Sequence, residues 1–522
     1  MKFILFVSFF YSINLSVQAQ DYKRNHNWVL GFMPVVTLDF NSSTILMDSF
    51  NNIALMSSSC ISNTNGDLEL FSSGFVLLNK DGNIIDNGLD VNSPYGVMLA
   101  NNASHYSPYE QTSIILPKKG NQYYVFSTGM SDSAAINCQQ QLKCIFDVLN
   151  YSVVDMDSNA GNGKVVEKNV LLYDNQEYRY VDLHAIRHGN GVDWWLIKSD
   201  CYHNQFQLFH VSADTILGPY KYQIADTADW CYLFSQIHFS SDGTKLVSNM
   251  YSETSGLTNY DNFNRVDLFN FNRCTGEITY RNKYIVPLDT VNYPNWSDKR
   301  GMSFSPDSKL LYLSNLYEIY QIDLEDTTVI QNQLIHGPDT AIADFPGYSS
   351  MACGPDGRLY IGNFNGTRQY MSYIENPNVK GLGCNFVSQG LWQPYTNLLT
   401  PPNMPNYGLG VDTANGCWPL SASPYPSEGG ELLEVYPNPS STSITISCEA
   451  LKGKRVKVNF YNMLGQELMS NECHFAQQNY TLNIQQLPRG VYLLKVGEKS
   501  GSGIKRGKAK KKMNEENTTI YI

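Results

Sequence analysis

The chain has 522 residues, more than one hydrophobic core usually fills, so several domains or a radially repeated architecture are expected. Charged residues make up 16% and aromatics 13%, with 35 tyrosines, which suits many short strands and excludes a disordered chain. The formal net charge of −11 excludes a nucleic-acid footprint over the main body, because phosphate contacts need clustered Lys and Arg.

The first element in chain order is a signal peptide. Lys2 is its positive n-region, Phe3 to Phe10 its apolar core and Val17-Gln18-Ala19 a small-residue cleavage site, which predicts a leader over 1–19 cut between Ala19 and Gln20. The apolar core is too short to span a bilayer, and no later run of 18 apolar residues occurs, so no transmembrane segment is expected. Export permits disulfides among the 11 cysteines, and Cys138 and Cys144 are close enough to staple the loop INCQQQLKCIF. The other cysteines have no C-x-x-C spacing and read mostly as small buried hydrophobes, so neither a metal nor a cofactor is expected.

From Trp28 to Gly410 short alternating apolar runs are broken by Gly, Asn and Asp, an all-β signature with hardly any helical period. Hairpins are expected at Asn63 to Ser72, Asn79 to Ile85 and His184 to Ile197, the last turning at Asn190-Gly191. Three more share a pattern: IHFSSDGTKLVSNM (Ile237 to Met250), MSFSPDSKLLYLSN (Met302 to Asn315) and MACGPDGRLYIGN (Met351 to Asn363). Each joins two strands through a turn in which Asp bonds the backbone, and Gly243 and Gly357 can supply a positive φ. Further strands follow the first two, at Arg265 to Ile278 and Glu318 to Ile330, giving most of a four-stranded propeller blade. At ~45 to 55 residues per blade the segment holds about seven. The fold class predicted is therefore all-β: a β-propeller over 27–417, closing radially without exposed sheet edges.

Residues 418–433 are rich in Pro, Ser and Gly and read as a linker. A small β unit follows over 434–497, with strands at Ser443 to Ser447, Val456 to Tyr461, Asn479 to Ile484 and Gly490 to Val496. Residues 498–522 hold seven Lys or Arg against three Glu, a local +4, and read as a basic, disordered tail.

The motifs VYPNPSSTSITI (Val435 to Ile446), VNFYNMLGQEL (Val458 to Leu468) and LPRGVYLLKV (Leu487 to Val496) give this unit a resemblance to the C-terminal sorting domain of the Bacteroidetes type IX secretion system. That resemblance implies an immunoglobulin-like β-sandwich, the type IX translocon as partner, and removal of the domain as the cargo is anchored or released. The chain departs from the pattern in its long tail after the final strand. The larger domain resembles the secreted propeller-like proteins that precede such domains, through GDLELFSSGFVLLNKDGNIIDNG (Gly66 to Gly88), SIILPKKGNQYYVFST (Ser113 to Thr128), LNYSVVDMDSNAGNGKVVEKNVLL (Leu149 to Leu172), GLGCNF (Gly381 to Phe386) and MPNYG (Met404 to Gly408). That family brings a fold and an address but no activity.

No nucleophile elbow, phosphate loop or dinucleotide fingerprint occurs, and no catalytic residue is assigned. His184 and His188 are four apart, but in a strand that spacing separates them by ~13 Å, too far to share an ion. Trp194 and Trp195 face opposite sides of their strand, so one could stack on a sugar or both could pack between blades. Asp81, Asp242, Asp307 and Asp356 read as turn residues. Asp-Thr-Ala at Thr227, Thr340 and Thr413 resembles the O-glycosylation site of exported Bacteroidetes proteins. The expected function is a secreted or outer-membrane surface propeller, a non-enzymatic binding or surface-layer component whose partner is a surface glycan or protein. The alternative is an extracellular polysaccharide hydrolase or lyase, with carboxylates in the propeller channel.

Overall fold

The computed structural model describes residues 21–31, 34–42, 45–50, 58–92, 111–134, 136, 146–173, 178–200, 205–223, 236–251, 263–287, 301–315, 317–325, 332–337, 347–363, 368–397, 401–415, 417, 434–436, 442–448, 451–461, 467–487, 493–498 and 518–521. Two compact units emerge, Met1–Cys417 and Trp418–Ile522.

The first unit is a seven-bladed β-propeller, each blade an antiparallel meander in chain order. Blade 1 is β1 (Asn27–Gly31), β2 (Val35–Asp39) and β3 (Leu46–Phe50), and blade 2 is β4 (Ser59–Ser62), β5 (Leu68–Ser72) and β6 (Leu77–Asn79). Blade 3 runs β7 (Ser113–Pro117), β8 (Gln122–Gly129), β9 (Val148–Asp155) and β10 (Lys164–Tyr173). Blade 4 runs β11 (Tyr178–Arg187), β12 (Trp194–Asp200), β13 (Gln205–Val211) and β14 (Ile216–Gln223). Blade 5 runs β15 (Ile237–Phe239), β16 (Lys245–Tyr251), β17 (Phe263–Phe271) and β18 (Ile278–Pro287). Blade 6 runs β19 (Gly301–Phe304), β20 (Leu310–Ser314), β21 (Ile319–Asp323) and β22 (Asn332–His336). Blade 7 runs β23 (Tyr348–Cys353), β24 (Leu359–Asn363), β25 (Arg368–Ile374) and β26 (Phe386–Asn397).

The first strands of successive blades lie side by side around the axis, and blade 7 closes on blade 1. Closure is by packing: among the described residues no strand is shared between the first and last sheets. Trp28 is fully buried and meets Tyr360 of blade 7 edge-on at 5.4 Å, with Met371 in the same cluster. Burying a side chain of that size contributes ~2–3 kcal/mol. Near the axis the inner strands approach so closely that a Cβ on Gly301 would fall 2.0 Å from the Ser349 carbonyl oxygen, which is why β19 begins with glycine.

The repeated turn chemistry links neighbouring blades as well as neighbouring strands. The Asp242 carboxylate accepts from Ser240 Oγ and from the Thr244 amide at 2.9 Å, Asp307 accepts from Ser305 Oγ at 2.6 Å, and Asp356 accepts from the Arg358 amide at 3.2 Å. At the positive-φ position Gly243 (+74°) and Gly357 (+84°) are replaced in the middle hairpin by Ser308 at +62°. That serine is buried, and its Oγ accepts from the Asp242 amide at 3.0 Å, tying the turn of blade 6 to that of blade 5. In the hairpin after β6, Asn79 Oδ1 takes the capping role, accepting from the Asp81 and Asn83 amides, while Asp81 pairs with Lys80.

In the second unit β27 (Glu434–Tyr436), β28 (Ser443–Ser447) and β31 (Asn479–Asn483) form one antiparallel sheet. The other orders β30 (Glu467–His474), β29 (Arg455–Tyr461), β32 (Leu493–Glu498) and β33 (Thr518–Tyr521). Alternate residues of β28 and β29 face one core containing Ile444, Ile446, Val456, Val458, Phe460 and Leu494, the pattern of two packed sheets. The C-terminal tail differs from its reading as disordered in one respect: Thr518–Tyr521 pairs antiparallel with β32, opposite Leu493 to Val496. TTIY is β-branched and aromatic, so it can add to an open sheet edge once the Lys-rich stretch has passed.

Candidate functional site

A propeller brings its seven inner strands to one axis, and here that axis is filled by polar side chains and by the chain's own return segment. The partly open space there, about 340 Å3 with its solvent-facing mouth included, is lined by Gln111, His184, Gln236, His238 and Ser350, with Pro401 to Met404 entering from the last blade. Inner-strand edges carry backbone groups that no further strand can satisfy, so amide side chains take that task. Gln111 makes a two-way bond with the Ile237 backbone, both contacts 3.0 Å, reaching from blade 3 to blade 5. Gln236 Oε1 accepts from the amides of Met302 (3.0 Å) and Met351 (3.2 Å), joining blade 5 to blades 6 and 7.

Asn403 completes the set. Its backbone amide donates to the Ser58 carbonyl, and its Nδ2 donates to the carbonyls of Ser113 and Leu183, each at 2.8 Å. Its Oδ1 lies 3.0 Å from His184 Nδ1. Four residues on, the Tyr407 hydroxyl donates to the Ile115 carbonyl (2.9 Å) and its ring meets Trp194 edge-on. The segment 401–408, Asn403 followed by the MPNYG motif, is thus a plug in the channel, in contact with blades 2, 3 and 4.

The His184 and His238 rings sit 5.1 Å apart across blades 4 and 5. Burial pushes the His184 pKa down to about 4 against a smaller opposing effect of Asn403, and burial followed by the proximity of His184 lowers His238 well below the ordinary value. Both imidazoles are therefore neutral at pH 7. Among the described residues no cluster of three or more His, Cys, Asp or Glu could hold a metal ion, and the cavity lining carries no carboxylate.

His188, expected too far from His184 to share an ion with it, belongs to a different cluster. Its ring lies 4.9 Å from that of His210, whose Nε2 is 3.2 Å from Asp193 Oδ2, and its Nε2 is 3.1 Å from the Cys274 carbonyl oxygen. Burial and then the neighbouring His210 lower the His188 pKa to about 4. Burial alone would raise Asp193, but its bonds to His210 and Asn190 hold it below the usual carboxylate range. A disulfide between Cys274 and Cys417 lies directly on this cluster, and Gly189 leaves room for it, since a Cβ there would fall 2.5 Å from Cys417 Sγ. Both belong to the group of cysteines whose sequence reading is mostly that of small buried hydrophobes. A separation of 143 residues carries no spacing signal, and only the return of 405–417 over blades 4 and 5 brings the thiols together.

Beside the plug, residues 21–26 cover the same region. Asp21 bridges Arg24 (2.9 Å) and Arg187 (3.0 Å), and Arg187 lies 4.3 Å over the Trp194 ring. Trp194 and Trp195 are both buried between blades and offer no stacking face. Of the sites singled out in sequence, Ala19, Gln20, Cys138, Cys144, Thr227 and Thr340 lie outside the described residues; Thr413 is exposed in a turn whose Asp412 amide bonds the Gly189 carbonyl. Gln111, Gln236, His238 and Asn403 had no sequence signal of their own, because only the radial closure brings them together.

Residues 434–507 match the family described as secretion system C-terminal sorting domain. The C-terminal unit is a type IX sorting domain. Attached to a propeller, it marks the chain for export by that system, and among the described residues no helix is long and apolar enough to cross a membrane. No curated protein matches the sequence. Solved structures similar to this chain include a putative 6-phosphogluconolactonase from Bacteroides fragilis, at 13% identity over 71% of this chain and 97% of that one, with TM-score 0.40. The Pseudomonas aeruginosa periplasmic gluconolactonase is 11% identical over 87% and 98%, with TM-score 0.33. The β-propeller domain of Myceliophteria thermophila Cps50 (Swd1) is 12% identical over 65% and 95%, with TM-score 0.35. At these values the likeness carries no argument about activity, and the fold stands on the seven sheets themselves.

Proposed function

We propose that this protein is a non-enzymatic binding component of the cell surface or its surroundings, delivered by type IX secretion after its leader is cut between Ala19 and Gln20. The observation that carries the reading is the plugged axis. Glycoside cleavage needs two carboxyl groups ~5 to 10 Å apart around an open site. Here the described lining offers two neutral imidazoles and amides already committed to backbone, with Pro401 to Met404 occupying the space a substrate would need. In this reading residues 27–417 form the cargo, 418–433 the linker and 434–497 an immunoglobulin-like sandwich read by the translocon. Thr413, exposed beside the disulfide, is a candidate for O-glycosylation, with Thr227 and Thr340, which lie outside the described residues, as candidates from sequence alone.

The test is the fate of the full chain in a host with type IX secretion, compared with one ending at Val496. Fractionation and intact mass report leader loss, sorting-domain loss and added glycan. The expected result is surface or medium protein lacking residues 1–19 and the sorting domain. Periplasmic retention of both chains would overturn the address.

A further inference from the structure

Blade 7 presents an exposed aromatic pair beside a polar depression, and we propose that it binds a glycan chain, with sugar rings stacked on Trp392 and Tyr370 and hydroxyl groups received at the adjoining polar residues. This rests on the binding role argued above and names its ligand class. Trp392 is 52% exposed and Tyr370 39%, whereas Trp28, Trp194 and Trp195 are buried. The two are directly opposite in the β25–β26 ladder, so their side chains share one face. Alternation assigns that face: Met371, Tyr373, Leu391 and Tyr395 pack toward blade 1, while Ile374 and Phe386 join the core shared with blade 6. Tyr370 and Trp392 therefore stand, exposed, on the blade 6 side of blade 7.

Next to them is a shallow depression open to solvent, about 300 Å3 with the open space included, walled by Tyr370 and lined by Asn363, Arg368, Ser372, Ser388 and Gln389. A β-bulge shapes it. Gln389 adopts φ +54°, its amide bonds Ser372 Oγ at 3.0 Å, and a Cβ on Gly390 would fall 2.4 Å from the Tyr373 ring, so the glycine is what lets the strand bend there. Bulges and positive φ at a non-glycine residue collect where a side chain is re-aimed at a ligand. An aromatic platform bordered by amides, hydroxyls and one guanidinium, with no carboxylate among the described lining residues, suits a sugar's apolar face and hydroxyl edge. Arg368 extends the same chemistry to a uronate carboxylate.

The experiment titrates the purified secreted propeller with a neutral hexasaccharide (cellohexaose) and an acidic one (a galacturonate hexamer), following tryptophan fluorescence and calorimetry. One or both should bind, with ~10-fold or greater weakening in Trp392→Ala and Tyr370→Ala. Preference for the galacturonate that disappears in high salt and in Arg368→Gln would assign the acidic sugar, and equal binding the neutral face. Circular dichroism and export of Trp392→Ala should match the parent, so a failed glycan titration leaves the export reading intact. The proposal is overturned if neither sugar binds, if binding survives both alanine variants, or if Trp392→Ala instead abolishes self-association in sedimentation, which would make the occupant a second copy.

Discussion

Replacing Asn403 tests whether the axial segment 401–408 is an integral part of the propeller or a detachable strap. Asn403→Ala keeps the backbone bond to Ser58 but removes the side-chain bonds to the Ser113 and Leu183 carbonyls and to His184. A buried acceptor left without a donor costs ~1–3 kcal/mol, but the axial cavity can admit water beside an alanine and recover part of that. The expected loss is ~2–4 kcal/mol. Asn403→Leu fills the same volume with apolar atoms and excludes the rescuing water, so it should cost more, ~3–6 kcal/mol, although it buries more hydrocarbon. Urea unfolding of the propeller, read as the midpoint shift at constant m, measures both. The ordering Leu worse than Ala is specific to a hydrogen-bonding role. Losses within ~0.5 kcal/mol for both variants, or a leucine more stable than alanine, would refute the reasoning.

Stability should fall on mild acidification, below pH 6.5 and well before the carboxylates titrate. His184 and His188 have pKa values lowered to about 4 from 6.5, and burial with the neighbouring His184 lowers His238 well below 6.5, so the unfolded chain takes up protons that the folded chain refuses. The contribution is fully present above 6.5 and is lost as pH falls toward 4, with a slope approaching ~4 kcal/mol per pH unit for three groups. Urea midpoints at pH 7.5, 6 and 5 check it, and a flat profile would contradict the neutral burial of these rings. Cys417→Ser should lower stability by ~2–4 kcal/mol, because the Cys274–Cys417 bond closes a long loop in the unfolded chain. Comparing parent and variant with and without reductant gives the readout, and a parent insensitive to reductant would count against the bond.

The hairpins were legible because their determinants are local. Alternating residues and an Asp-centred turn are enough to place β15 with β16, β19 with β20 and β23 with β24, and Gly243 and Gly357 turn as expected. Ser308 shows the limit of that logic: its hydroxyl, bonded by the preceding blade's turn, stabilises the backbone conformation that glycine reaches without help. The axial site was illegible for the opposite reason. Asn403 lies 219 residues from His184 and 290 from Ser113, and Gln111 lies 126 from Ile237, so no window of sequence contains both partners. Trp392 and Tyr370 fail differently, because an alternating strand gives the parity of a side chain but not which face its neighbours leave uncovered.

The position of these long-range bonds bears on where recognition can occur. Gln111, Gln236 and Asn403 each span two or more blades, so opening the axis to a ligand would break bonds in several sheets at once. The rim has no such constraint: the bulge at Gln389 and Gly390 is contained within blade 7, and its side chains can meet a ligand while the inner strands stay fixed. A closed axis and a shaped rim together favour recognition on a rigid scaffold over catalysis in a channel. If Asn403→Ala loosens the axis yet leaves hexasaccharide affinity unchanged, the two regions are energetically separate, as additivity predicts for distant sites sharing no partner. If affinity falls with it, the plug and the blade 7 site are coupled, and the axis has to be counted as part of the binding machinery.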